Sequence, residues 1–253
     1  MTQFGIFDQN DQGPYPLAEQ YEHRLKLIEF YDRAGFRTYH MSEHHATPLN
    51  MTPSPSVFLA AVAQRTKRLR FGALVYVLPA HHPLRLAEEI CMLDHLSGGR
   101  VELGVGRGAS PHELAYFGID PDQARAMYVE AYDVIMQALT RDAVDFSGRH
   151  YRFANVPIDM KPLQRPHPPI WYAVPVPDGA AWPAQHAINV VCGGRCRACA
   201  RSPTAIARNG RRQDVRRRAC PCSASTASCW RPIARPRRWR SAAALGRCST
   251  GAS

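Results

Sequence analysis

The chain has 253 residues and a formal net charge of +11, a length at which α/β barrels run as one domain and too long for a disulfide-stapled miniprotein. The charge sits at one end: residues 193–253 hold 15 Arg against a single acid, Asp214, while residues 1–192 hold 17 Lys and Arg against 20 Asp and Glu. That separation excludes a nucleic-acid surface spread over the whole chain. Cysteine divides in the same way, with Cys91 alone before Cys192, so the first 192 residues read as a reduced, cytoplasmic protein. The opening MTQFGIFDQNDQGPYP meets acids and a proline at once and is no signal peptide. No apolar run approaches the roughly 20 residues that span a bilayer, so no membrane partner is expected.

Short β-rich runs recur along the chain: Phe4 to Phe7, Arg37 to Met41, Leu69 to Val77, Val101 to Val105 and Ile170 to Val174. The first four begin about thirty residues apart, the size of one βαβ unit. Between the first two, Tyr21, Leu25 and Ile28 have helical spacing and Gly35 marks the helix end. Leu86, Ile90 and Leu93 mark a third helical segment, opened by Pro83 and closed by Gly98 and Gly99; Ala124, Met127, Ala131, Val134 and Ala138 give a fourth. Parallel strands joined by helices admit a (β/α)8 barrel or an open doubly wound sheet.

In either fold the chemistry belongs at the carboxyl ends of the strands. Ser42-Glu43-His44-His45 follows the second run, His81-His82 the third and Gly106-Arg107-Gly108 the fourth. An imidazole is suited to proton transfer near neutrality, and Glu43 could fix the tautomer of a neighbouring ring; a structural histidine pair holding the loop is the plainer alternative. A metal at His44, His45, His81 and His82 is disfavoured, because adjacent histidines rarely turn both rings to one ion and no HExxH or carboxylate triad accompanies them. Arg107 would offer a bidentate fork to phosphate beside small residues. No GxGxxG follows the first run, so a Rossmann fingerprint is absent.

Residues 193–253 lack Lys, Glu, His, Phe, Tyr and Met, and are dominated by Arg, Ala, Ser, Cys, Gly and Pro. Such a segment buries too little apolar surface to offset its ordering entropy and is expected to be irregular. The abrupt change near Cys192 and Gly193 reads as a frameshift in a GC-rich gene. Cys196 and Cys199 form a CxxC, but Cys220 and Cys222 are spaced CxC and no histidine is present, which argues against a zinc ribbon.

The series EHH, then HHPLRLAEE, LSGGR and GVGRG, with FGIFDQ at the start, resembles the bacterial luciferase-like flavin-dependent monooxygenase family from Gln3 to about Val191. The resemblance implies a (β/α)8 TIM barrel over residues 1–192, incomplete at about six strands, followed by the basic tail 193–253. It implies reduced FMN as cofactor, with a deazaflavin in related branches, and oxygenation of a small organic substrate by O2 through a C4a-peroxyflavin. A flavin reductase would supply the reduced flavin, and a homodimer is the family's expectation. By resemblance His44, with His45 and Glu43 beside it, is catalytic. Gly106, Arg107 and Gly108 would bind the flavin, and backbone N–H groups near Val176, Asp178, Gly179 and Ala180 its phosphate. Pro183 inside an expected helix and Ala187 in place of a helix-ending glycine depart from the pattern, and missing strands imply impaired activity. The alternatives are a deazaflavin-dependent oxidoreductase of the same fold and, from another class, a non-enzymatic barrel fragment whose basic tail binds nucleic acid.

Overall fold

A computed structural model describes residues 4–173, 183, 186 and 188–191. In chain order these form β1 (Gly5–Asp8), α1 (Leu17–Ala34), β2 (Thr38–Met41), α2 (Pro55–Arg65), β3 (Arg70–Ala73) and β4 (Tyr76–Val77). A 3-10 turn at Leu78–Ala80 leads into α3 (Pro83–Ser97), β5 (Leu103–Gly106), α4 (Pro111–Tyr116) and α5 (Ala124–Thr140). The strands β6 (Ala143–Ser147) and β7 (Arg152–Pro157) precede β8 (Ile170–Ala173) and β9 (Asn189–Val191).

The punctuation residues act as their chemistry requires. Gly35 ends α1 in the left-handed region at φ 83° and Gly98 ends α3 at φ 63°, where a Cβ would be strained. Pro83 occupies the first turn of α3, where a missing N–H costs nothing. At the end of α1 the buried Asp32 carboxylate accepts the backbone N–H groups of Lys67, Arg68 and Leu69 at 2.9, 2.9 and 2.6 Å, tying the helix to the start of β3.

Two parallel sheets are present, in the orders β1-β2-β3 and β4-β5-β8-β9. A parallel bridge between Phe71 and Val101 joins them, so β3 and β4 are successive parts of one strand position. The described residues thus hold six parallel strand positions in sequential order. The apolar run Leu69 to Val77 is split at Leu74 and Val75, a break that no turn residue announces. The β6–β7 hairpin is antiparallel, with an irregularity between Val144 and Phe146. It escaped the periodicity reading because β7 buries no residue fully. Its tip is held from α5, where the Glu130 carboxylate accepts the N–H groups of Arg149, His150 and Tyr151.

Side chains alternate across the strands. On the outer face Tyr39, Met41, Phe71, Leu103, Val105 and Ile170 pack with Ile28, Leu59, Val62, Ile90 and Ile135 of the helices in the main core. On the inner face Phe7, Leu74, Val75, Trp171 and Val191 make a small apolar cluster. Beside it lie buried charges: Glu102 Oε1 accepts from Arg70 Nε at 2.7 Å, and Glu102 Oε2 is 3.2 Å from His40 Nε2. Where strands approach closely the residues are glycine. A Cβ on Gly72 would lie 1.8 Å from Glu102 O, and one on Gly104 2.2 Å from Ala73 O.

Among the described residues no helix is long and apolar enough to cross a membrane. The expectation for 193–253 falls outside the described residues. Pro183 is buried in a helical conformation, with its carbonyl accepting the Ile188 N–H.

Burial opposes the Glu102 charge, but the His40 and Arg70 contacts outweigh it and hold the carboxyl below its ordinary value of 4.5. A depressed carboxylate stabilises the fold above the unfolded-state value and ceases to do so as pH falls through the folded one. Urea midpoints should therefore drop as pH is lowered below about 4.5, and Glu102→Ala should cost about 3 kcal/mol at pH 7 while flattening that dependence. An unchanged acid limb in the variant would show that the stabilisation lies elsewhere.

Candidate functional site

The carboxyl ends of β2 and β5 and the turn after β4 converge on a narrow cleft of about 20 Å³ lined by Glu43, His44, His45, Val77, Ala80, Gly108, Ala109, Ser110, Glu113, Leu114 and Phe117. Two carboxylates organise it, each orienting one imidazole. His44 Nδ1 lies 3.1 and 3.3 Å from the two oxygens of Glu113, whose Oε2 also accepts the His45 backbone N–H at 2.9 Å. An ionised carboxylate only accepts, so His44 Nδ1 is the donor, and in the neutral ring Nε2 carries the lone pair. His45 is turned the other way: its Nε2 donates to Glu43 Oε1 at 2.8 Å, leaving Nδ1 as the base nitrogen.

Glu43 is buried, and its Oε1 also accepts from His81 Nε2 at 2.8 Å while Oε2 takes the Val77 N–H at 2.9 Å. Burial pushes its pKa up, yet the hydrogen bonds from His45 and His81 and the Val77 N–H more than offset it, so the group stays below the usual carboxylate range. The same contact works in reverse on His81: burial lowers its proton affinity, and the Glu43 hydrogen bond and charge raise it above its ordinary value.

Glu43, His44 and His45 come together as the sequence suggests. Gly108 lines the same cleft, with φ 90°. Arg107 is exposed at the rim with no partner among the described residues. Gly106 is also required by packing, since a Cβ there would lie 2.3 Å from Val75 Cγ2. Val176, Asp178, Gly179 and Ala180 fall outside the described residues. His82 stands apart, opening α3 with its ring against Phe153. Among the described residues no group of three or more His, Cys, Asp or Glu side chains is placed to hold a metal.

Glu113 is the residue that the sequence alone did not single out, and His81, weighed there only as a disfavoured metal ligand, instead shares the Glu43 carboxylate. Ser110-Pro-His-Glu113 has the spacing of a capping box, and Ser110 Oγ does accept the Glu113 N–H at 3.3 Å. The reciprocal half is unmade, because the Glu113 carboxylate is spent on His44 and His45. A second, open cleft of about 430 Å³ adjoins, lined by His81, Gln123, Met127 and His150 among others, and shares Ala80 and Phe117 with the first.

Polar side chains gathered where parallel strands end define an α/β protein with its site on the carboxyl-end rim. A family described as luciferase-like monooxygenase matches residues 2–240, and the chain belongs to that family. The match runs past Val191, where the motifs of the sequence reading end. The chain is 52% identical over 191 residues to an uncharacterized protein, y4wF, of Sinorhizobium fredii, covering 76% of this chain and 56% of that one. It is 32% identical over 172 residues to the oxygenase component of a flavin-dependent trigonelline monooxygenase of Acinetobacter baylyi, covering 67% and 48%. The crystal structure of the monooxygenase RslO1 from Streptomyces bottropensis superposes with a TM-score of 0.75 at 29% identity, covering 84% of this chain and 68% of that one. The chain thus spans about half the length of the curated relatives it matches.

Glu113→Ala should leave His44 free to exchange tautomers and the His45 N–H without its acceptor. The 15N imidazole spectrum of His44 should change from Nδ1-protonated to a mixture. Persistence of the Nδ1-protonated form would show that Glu113 does not orient the ring.

Proposed function

We propose that the chain is the oxygenase of a flavin-dependent monooxygenase, built on the (β/α)8 plan, that uses reduced FMN and O2 to oxygenate a small organic substrate. The observation that carries this reading is the pair of carboxylate-oriented imidazoles, His44 on Glu113 and His45 on Glu43, lining one cleft at the strand ends. Family membership supports it. The resemblance to an enzyme named as an oxygenase component supports a separate reductase as the source of reduced flavin.

The residues fit a flavin. Phe7, Leu74, Val75, Trp171 and Val191 form an apolar cluster on the inner face of the sheet, against which a planar ring system would pack, and Arg107, without a partner among the described residues, offers a guanidinium to a phosphate at the rim. When bound, reduced flavin supplies the electrons and the activation of oxygen. The protein's own contribution is positioning, water exclusion and proton handling. His44, with Nδ1–H held by Glu113, presents Nε2 as a general base, and the fixed ring costs no reorientation as the proton moves. Phe117 and Leu114 exclude water from one wall. On the family pattern Val176, Asp178, Gly179 and Ala180 complete the phosphate site.

Anaerobic titration with reduced FMN and, in parallel, with a reduced deazaflavin tests the cofactor. Tighter binding of FMN is expected, and preference for the deazaflavin would overturn the assignment. Arg107→Ala should weaken FMN but leave riboflavin affinity unchanged. His44→Ala should lower product formation by about 10²- to 10⁴-fold at unchanged FMN affinity, and undiminished turnover would remove His44 from the chemistry.

A further inference from the structure

Glu43 Oε1 accepts from two imidazoles at once, His45 Nε2 and His81 Nε2, both at 2.8 Å, and its side chain is fully buried. One buried carboxylate carries one negative charge, so it neutralises one imidazolium. Two would leave an uncompensated positive charge in a region of low dielectric. The triad therefore holds a single excess proton when occupied, and the two rings compete for it. Their surroundings differ. His81 faces Glu43 and the charge of Glu89 on α3, with its ring edge against Tyr76, and lines the open cleft with Asp120 and His150. His45 faces Glu43, and its ring edge meets Phe117. The Glu113 carboxylate reaches only its backbone N–H, its charge being engaged by His44 Nδ1.

We propose that His81 is a positioning residue that takes the excess proton on Glu43, so that His45 stays neutral, with Nε2–H fixed on Glu43 and Nδ1 available as a base. The two clefts then divide the labour: the ring lining the open cleft bears the charge, and the ring lining the smaller cleft keeps a lone pair. The idea rests on the functional reading only in making His45 part of the reacting site. Its test concerns proton affinities and stands apart from turnover.

The experiment is a pH titration of the full chain labelled with 15N-histidine, with resonances assigned by single substitution. In the unaltered protein His81 should titrate at higher pH than His45. In His81→Gln the whole Glu43 charge falls to His45, whose midpoint should rise by about one pH unit, a tenfold gain in proton affinity. His81→Lys restores a cation on Glu43 and should return the His45 midpoint to its original place, which a merely structural role for His81 would not do. An unmoved His45 midpoint in His81→Gln, or a raised one in His81→Lys, overturns the proposal. Should His81→Gln not fold, Glu43→Gln decides: the His81 midpoint should fall by more than that of His45, because His81 is the ring that uses the Glu43 charge, and an equal or smaller fall overturns the assignment.

Discussion

A single buried carboxylate, Glu43, holds the site in register. It stands just past β2 and receives three hydrogen bonds from three places: the His45 ring on its own loop, the Val77 N–H at the end of β4, and the His81 ring beyond the 3-10 turn. The acceptor is buried and its donors are half-buried, so losing the acceptor would leave all three donors without their partner. The loops after the second and third strand positions are thus tied together, and His44 takes its place from that junction and from Glu113. The histidine pair is a consequence of the carboxylate, although it is the pair that catches the eye in the sequence.

Beneath the rim the sheet separates two kinds of interior. Its outer face is conventional, with aliphatic and aromatic strand residues meeting the apolar stripes of the helices. Its inner face mixes an apolar cluster near the carboxyl ends with the Arg70–Glu102–His40 group farther in. Arg70 is satisfied beyond its acid by the carbonyls of Gly99 and Val101 and by Gln164 Oε1, which is how a half-buried guanidinium becomes tolerable. Gln164 in turn is tied to Asp94 of α3, so the charged centre is linked to the helical shell.

Much of this was legible in the sequence where local chemistry and tertiary role agree. The β-rich runs located five strand positions because each is short and rich in aromatic and aliphatic residues, and Gly35, Pro83 and Gly98 marked helix ends through constraints that belong to those residues alone. Strand-end placement brought Glu43, His44 and His45 to one rim. Legibility failed where one residue has two uses. Glu113 satisfies a local capping pattern, and nothing local reveals that its carboxylate crosses to a loop 69 residues earlier. His81 reads as half of a histidine pair, yet its neighbour His82 turns away to Phe153. The split between β3 and β4 and the exposed β6–β7 hairpin lack the punctuation or periodicity that a pattern can register.

The glycines of the inner wall set a limit on how such a site can be altered. At Gly72 and Gly104 the space for a side chain is already taken by the carbonyls of Glu102 and Ala73 on the adjacent strands. At these points the wall is bare main chain, and no substitution can deepen, narrow or recharge it without parting the strands. In this chain the freedom to reshape the site therefore lies in the loops above the sheet. This architecture keeps a constant floor and lets the rim diverge, so that one scaffold can serve different molecules.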